Sequence, residues 1–117
     1  MTNEERTEAL EAPSVAVGRV DGTEGLLALH GEIDHGTASQ IDEVVQRLLD
    51  EGATSLVVDF TDLTFFDSAC LSSLIRAHTT ITERGGTMTL TNVSRHARRV
   101  LDITGLLPLF QLTDESA

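Results

Sequence analysis

The sequence predicts a single α/β domain: a mixed sheet with an N-terminal antiparallel hairpin followed by βα repeats, its helices mainly on one face. Three observations carry that expectation. Two short segments, SVAVGRV and LLALHGEI, are separated by the turn residues DGTEG. Further along, apolar residues recur at three- and four-residue spacings in three stretches, each closed by glycine. Between those stretches lie short runs rich in β-branched and apolar residues.

Taken in order, residues 1–12 are charged and aperiodic, and Pro13 closes them, which predicts a disordered acidic leader. The folded domain is expected over residues 13–112, with an acidic tail, TDESA, over 113–117. SVAVGRV alternates as a half-buried strand, and LLALHGEI pairs back on it as a hairpin. From Thr37 onward, Ile41, Val44, Val45, Leu48 and Leu49 form one apolar stripe on a helix that Gly52 ends.

TSLVVDF, almost wholly apolar, predicts a central strand covered on both sides for much of its length, and TDLTFFD predicts a loop after it. Leu71, Leu74, Ile75, His78 and Ile81 define a second helix, broken by RGG at Arg84–Gly86. TMTLTNV sets Met88 and Leu90 against threonines, the pattern of a strand with one wet face. Ser94 caps a third helix through about Thr104, Gly105 stops it, and LLPLFQL makes a last short strand or turn. The later strands are expected to be parallel, joined by right-handed crossovers. That arrangement brings GEIDHGT and DLTFFDSA together as one polar surface.

Composition removes several function classes. A chain of 117 residues matches one domain that can bury a core without disulfides, and its single cysteine, Cys70, cannot bridge internally. No stretch is apolar for long enough to span a bilayer or act as a secretory signal, so the expected setting is the reducing cytoplasm, without membrane insertion. Nineteen acidic against eight basic residues give a net charge of -11, and the chain has no Trp, no Tyr and four Phe. Nucleic acid is therefore not expected as a partner. Arg95, His96, Arg98 and Arg99 interleave with Ala97, Val100 and Leu101 at helical spacing, the pattern of an ordinary solvated face. The charge, and the lack of a long exposed apolar run, predict a monomer.

All eight bases are arginine. Without lysine there is no phosphate loop ending in Lys, no kinase lysine and no Schiff base. Asp59, in LVVDF, resembles the phosphorylated aspartate of a response-regulator receiver, but the late lysine and the acidic pair of a receiver are missing. The histidines at 30, 35, 78 and 96 show no metal-ligand spacing, and no cofactor is expected.

The segment FFDSACLSSL then concentrates the functional question. Asp67 and Ser68 stand just before a helical run, where backbone N–H groups are unpaired and the dipole end is positive. On residue type and spacing alone, this junction is a helix cap. A hydrolase would need the glycines of a nucleophile elbow, which FDSAC lacks.

From SVAVGRV to LLPLFQL the chain resembles the STAS domain of bacterial anti-sigma factor antagonists, through LHGEIDHGTASQIDEVVQRLL, LVVDFTDLTFFDSACLSSLIRA and ERGGTMTLTNVSRHARRVLDITGL. The resemblance implies a non-enzymatic protein that binds an anti-sigma factor of the serine-kinase type and thereby frees a sigma factor for transcription. It implies Ser68 as the phosphate acceptor, since the serine after the aspartate is modified in the family's Asp-Ser-Ser-Gly motif, and a phosphatase that resets it. Asp34 matches the acid of the family's Gly-Glu-Leu-Asp segment and would form the contact surface with His35 and Thr37, or else serve as a turn residue capping the first helix. Asp67 caps the second helix or holds the Ser68 hydroxyl. Ser72, Ser73 and Arg76 are expected on the exposed side of that helix and extend the surface.

Two positions depart from the motif: Ala69 stands for its second serine and Cys70 for its glycine. The first leaves Ser68 as the only hydroxyl in the motif. The second adds a side chain where a partner's backbone approaches, and its thiol is either a small buried group or, near a helix N-terminus, a low-pKa redox sensor. The altered motif admits another reading, a constitutive STAS subunit of a transport complex or stress-signalling scaffold in which Ser68 is never modified.

Overall fold

In the computed structural model residues 14–113 are described, and the expected leader lies outside them, as does the tail beyond Thr113. Strand β1 (Ala16–Asp21) and strand β2 (Glu24–Ile33) form the expected hairpin, with Asp21 opposite Glu24. Gly22 adopts φ 67°, the positive angle that a two-residue turn of type II′ needs at its first central position. Helix α1 (Ser39–Asp50), strand β3 (Ser55–Phe66), helix α2 (Ser68–Glu83), strand β4 (Met88–Thr91), helix α3 (Arg95–Ile103), a 3₁₀ turn at Leu107–Leu109 and strand β5 (Gln111–Thr113) follow. The strands lie side by side in sequence order, β1 antiparallel to β2 and the rest parallel.

Local chemistry sets the helix ends. At the end of α2, Gly86 N–H donates to the Ile81 carbonyl and Gly85 N–H to that of Thr82, with Gly85 at φ 82°. Gly86 also has to lack a side chain, because a Cβ there would collide with the Thr54 carbonyl oxygen. At the start of α3, the Ser94 hydroxyl accepts from Ala97 N–H at 3.0 Å, the cap expected from the sequence.

Burial alternates along the strands. Leu27, Leu29, Ile33, Leu56, Val58, Phe60, Met88 and Leu90 are buried in a core shared with Ile41, Leu48, Leu74, Ile81 and Leu101 of the helices. Each such side chain contributes roughly 1.5–3 kcal/mol relative to exposure. Leu26, Ala28, Val57 and Asp59 on the other face are only half-buried.

That pattern corrects the expectation that TSLVVDF is covered on both sides. Val57 lies between Leu26 and Thr89, which shield it laterally, while no helix among the described residues covers it. The expected loop TDLTFFD is likewise corrected: β3 continues through it to Phe66, because β2 extends alongside, with Asp62 opposite His30, Phe65 opposite Glu32 and Phe66 opposite Ile33. Two register shifts in β2, between Ala28 and His30 and between Gly31 and Glu32, accommodate the extra residues of β3. The last segment resolves into a 3₁₀ turn and then a strand that includes Thr113, one residue beyond the expected domain end.

Candidate functional site

The paired extensions of β2 and β3 determine what stands at their shared C-terminal end. Asp67 N–H donates to the Ile33 carbonyl at 3.2 Å, so the chain enters α2 beside the point where it leaves β2. The turn from Asp34 to Thr37 and the Asp67–Ser68 junction are thereby held next to each other, as the sequence predicts.

Asp67 is the N-cap of α2: its backbone is extended, and its Oδ1 accepts from Ala69 N–H at 2.9 Å and from Cys70 N–H at 3.3 Å. Ser68 is the first residue of the helix and is exposed. The two roles proposed for the pair are thus separated: Asp67 faces the backbone, and the exposed Ser68 side chain makes no hydrogen bond among the described residues.

Across the seam, Asp34 forms a compact turn. Its Oδ1 accepts from Gly36 N–H at 2.9 Å, and its own N–H donates to Thr37 Oγ1 at 3.1 Å. Thr37 N–H and Ala38 N–H both donate to the Asp34 carbonyl, at 3.0 and 2.8 Å. Asp34 is therefore the turn residue that leads into α1, and it is half-buried. His35 is exposed at the tip of the turn. Thr37 is different: it is buried, and its hydroxyl is enclosed by the Asp34 turn, so its expected place on a contact surface is replaced by a supporting one.

Along α2, Ser72 is exposed but Ser73 is fully buried, which corrects its expected exposure. The Ser73 hydroxyl lies 3.1 Å from the Ala38 carbonyl and 3.3 Å from the Asp42 carboxylate, and it accepts from Arg76 at 3.0 Å. Arg76 is exposed, and its guanidinium is engaged by Asp42 of α1 at 2.9 Å. That hydrogen bond and the Asp42 charge raise the Arg76 pKa above its ordinary value. This network ties the first turn of α1 to the second turn of α2 and so fixes the Asp34 turn relative to Ser68.

Cys70 is completely buried. Burial, with the Asp67 charge adding to it, pushes its thiol up to about 12. The redox-sensor reading is thereby corrected, since apolar enclosure outweighs the helix N-terminus. The side chain also points into the core, so it does not occupy the space above Ser68 where a partner would approach.

Phe65 is a surface feature that pattern reasoning missed. It is 51% exposed, an unusual state for an aromatic side chain, and only Phe66 and Asp67 separate it from Ser68. A signal for it existed: in an extended strand, adjacent residues point to opposite faces, so both rings of the Phe65–Phe66 pair cannot be buried on one side. Phe66 turns the other way, with its ring centroid 6.5 Å from that of His96. Asp59, considered above as a receiver aspartate, lies within β3 and not at its end.

Comparisons with known proteins agree with this architecture. A sequence description of the STAS domain matches residues 14–117. The chain is 31% identical over 93 residues to the anti-sigma F factor antagonist of Paenibacillus polymyxa, covering 76% of this chain and 77% of that protein. It is 30% identical over 86 residues to the anti-sigma-B factor antagonist of Bacillus subtilis, covering 74% and 78%. The structure of the Bacillus cell fate determinant SpoIIAA in its phosphorylated form superposes with a TM-score of 0.68 at 23% identity, over 86% of this chain and 93% of that one.

Proposed function

The chain belongs to the STAS domain family, and from that membership we propose that it is an anti-sigma factor antagonist, a binding protein whose docking end is the seam between the Asp34 turn and the start of α2. The observation that carries the reading is the exposed Ser68 hydroxyl held at the first position of α2 by the Asp67 cap, beside the exposed Phe65. Named relatives of the chain are antagonists of anti-sigma factors, which supports a partner of that kind. The partner is an anti-sigma factor with serine-kinase activity that binds the unmodified chain, phosphorylates Ser68 and then lets go; a phosphatase reverses the step. The protein acts as a monomer in the cytoplasm.

The physical basis of release is the state of the helix start. An anion at a helix N-terminus is ordinarily stabilised by free amides. Here the amides of Ala69 and Cys70 already donate to Asp67, so a phosphate on Ser68 is left mainly to water and to the N–H of Ser68 itself. Phosphorylation adds about -1.5 to -2 charges. Covering that group with a partner strips its hydration next to Asp67, at a cost of several kcal/mol, and each ~1.4 kcal/mol is tenfold in affinity. Phe65, Ser68, His35 and Ser72 form the exposed contact set, with Asp34 and Asp67 shaping it and Arg76 at its margin.

The test is to purify the chain from its native cells, measure its intact mass with and without phosphatase, and identify what co-purifies with wild type, Ser68→Ala and Ser68→Glu. A kinase-like anti-sigma factor held by Ser68→Ala and lost by Ser68→Glu is the expected result. Retention of the same partner by all three proteins, with no phosphate on Ser68, would instead establish a constitutive binding subunit.

A further inference from the structure

The face of the sheet away from the helices carries a groove of about 420 Å³, in the size range of small-molecule sites. Its lining includes Val17, Leu26, Ala28 and Val57, together with two charged residues, Arg19 and Asp59. The strand register arranges these in two adjacent rows, Val17–Ala28–Asp59 and Arg19–Leu26–Val57. Val17 is 54% exposed, so this apolar strip has no cover among the described residues.

Asp59 is built into that strip with a lopsided set of partners. Its Oδ1 accepts from the Thr61 hydroxyl at 2.6 Å, from Thr61 N–H at 2.9 Å and from the Asn92 side-chain amide at 2.9 Å. Asn92 adopts φ 57°, the only non-glycine residue among those described with a positive angle. No hydrogen bond from the described residues reaches Oδ2, and Arg19, exposed in the neighbouring row, forms no ion pair among them. Burial pushes the carboxyl up, but the bonds from Thr61 and Asn92, helped by the field of His30, bring it below the ordinary value. The group is therefore an anion at neutral pH, with one oxygen saturated and the other available beside apolar surface.

We propose that this groove binds a small amphipathic amine, its ammonium on Asp59 Oδ2 and its apolar body over Val17, Leu26, Ala28 and Val57. The half-buried Asp59 selects the cation over the exposed Arg19, whose charge is more fully screened by water: a carboxylate ligand meets repulsion from Asp59 and finds only that solvated guanidinium, and a neutral one leaves Oδ2 without a partner. Arg19, a row away, disfavours a second positive charge, which makes the ligand a monoamine. The site lies in the middle of the sheet and not at the seam that presents Ser68, so it stands independently of the proposed partner switch.

The test is an amide NMR titration of the full chain with phenethylamine, with phenethyl alcohol as the neutral match and 3-phenylpropionate as the anionic one. The expected result is saturable shifts at Val17, Leu26, Ala28 and Val57 with the amine, binding about tenfold or more weaker with the alcohol, and none with the acid, since a hydrogen bond to a charged group is worth about that factor. Asp59→Asn keeps the Oδ1 acceptor and should reduce amine binding to the level of the alcohol. Ala28→Phe fills the groove from its open side and should abolish binding of both the amine and the alcohol, which keeps the proposal testable if Asp59→Asn does not fold. Absence of shifts with wild type, shifts centred elsewhere, equal affinity for amine and alcohol, or undiminished binding by a folded Asp59→Asn protein each overturns it.

Discussion

Replacing Asp67 by alanine removes one carboxylate oxygen that serves two helix amides, those of Ala69 and Cys70. Loss of such a cap costs about 1 kcal/mol, within a range of about 0.5–2. For a domain of this size that lowers Tm by roughly 4–8 °C. A sharper consequence concerns Ser68. In the native background Ser68→Glu puts a carboxylate beside Asp67 at a helix start whose Ala69 and Cys70 amides are taken, so it should be neutral or destabilising by up to about 0.5 kcal/mol. In the Asp67→Ala background the same glutamate meets free amides and the positive helix end, and should stabilise by about 0.3–1 kcal/mol. The two substitutions should therefore couple favourably, by about 1 kcal/mol. Urea denaturation of the four proteins, followed by far-ultraviolet circular dichroism at low salt, measures this directly. If Ser68→Glu has the same effect in both backgrounds, the claim that Asp67 pre-empts the anion site at the start of α2 is wrong.

Three further outcomes are expected. Ser73→Val removes the buried hydroxyl between the Ala38 carbonyl and the Asp42–Arg76 pair, and should cost about 1–3 kcal/mol in denaturant titrations, whereas the exposed neighbour Ser72→Val should stay within about 0.5 kcal/mol. Cys70, buried and pushed up to about 12, should not react with a disulfide reagent at pH 8 in the native protein and should react fully in urea; rapid native reaction would contradict the assignment. Asp59 has a depressed folded pKa, so its contribution to stability is present above its unfolded value, near the ordinary 3.8, and is lost as pH falls through the folded value. The acid limb of a stability-versus-pH curve should accordingly flatten in Asp59→Asn, and an unchanged limb would remove Asp59 from the account.

Much of the architecture is legible in the sequence because glycines and apolar spacing act locally. Gly22 marks the hairpin, the stripe from Ile41 to Leu49 marks α1, and Ser94 marks the start of α3, each by chemistry confined to a few residues. What was illegible depends on neighbours in space. Thr61 to Phe66 contains turn-forming aspartate and threonine, yet it is strand because the extended β2 supplies partners for it. Ser73 looks like any helix-surface serine until α1 is placed against α2, when its hydroxyl finds the Ala38 carbonyl. Thr37 has the residue type of a contact group, and only the closed Asp34 turn shows it to be internal. The motif singles out Asp67 and Ser68 as the candidate site, but the division of labour between them is a matter of which atom faces the helix amides.

That division also sets the direction of the proposed switch. A phosphoserine whose own helix offered free amides would be drawn inward, and a partner could cover it at modest cost. With Asp67 on the amides of Ala69 and Cys70, those two donors are closed to the phosphate, which relies on water and the N–H of Ser68 itself within the free domain. Phe65 is a large exposed apolar group three residues before Ser68, so a partner whose footprint takes in both residues covers the phosphate as it anchors on the ring. Binding strength and sensitivity to phosphate are consequently linked: the tighter the partner seals over Phe65, the more completely it dehydrates the phosphate. Only a partner that places an arginine against Ser68 escapes this link, because a bidentate contact replaces the lost water. Unmodified Ser68 would then leave that arginine buried and unpaired, and the preference would reverse. Affinity for the Ser68→Glu protein relative to Ser68→Ala, with Phe65→Ala as the control that relaxes the seal, therefore reports the charge that the partner presents at this point.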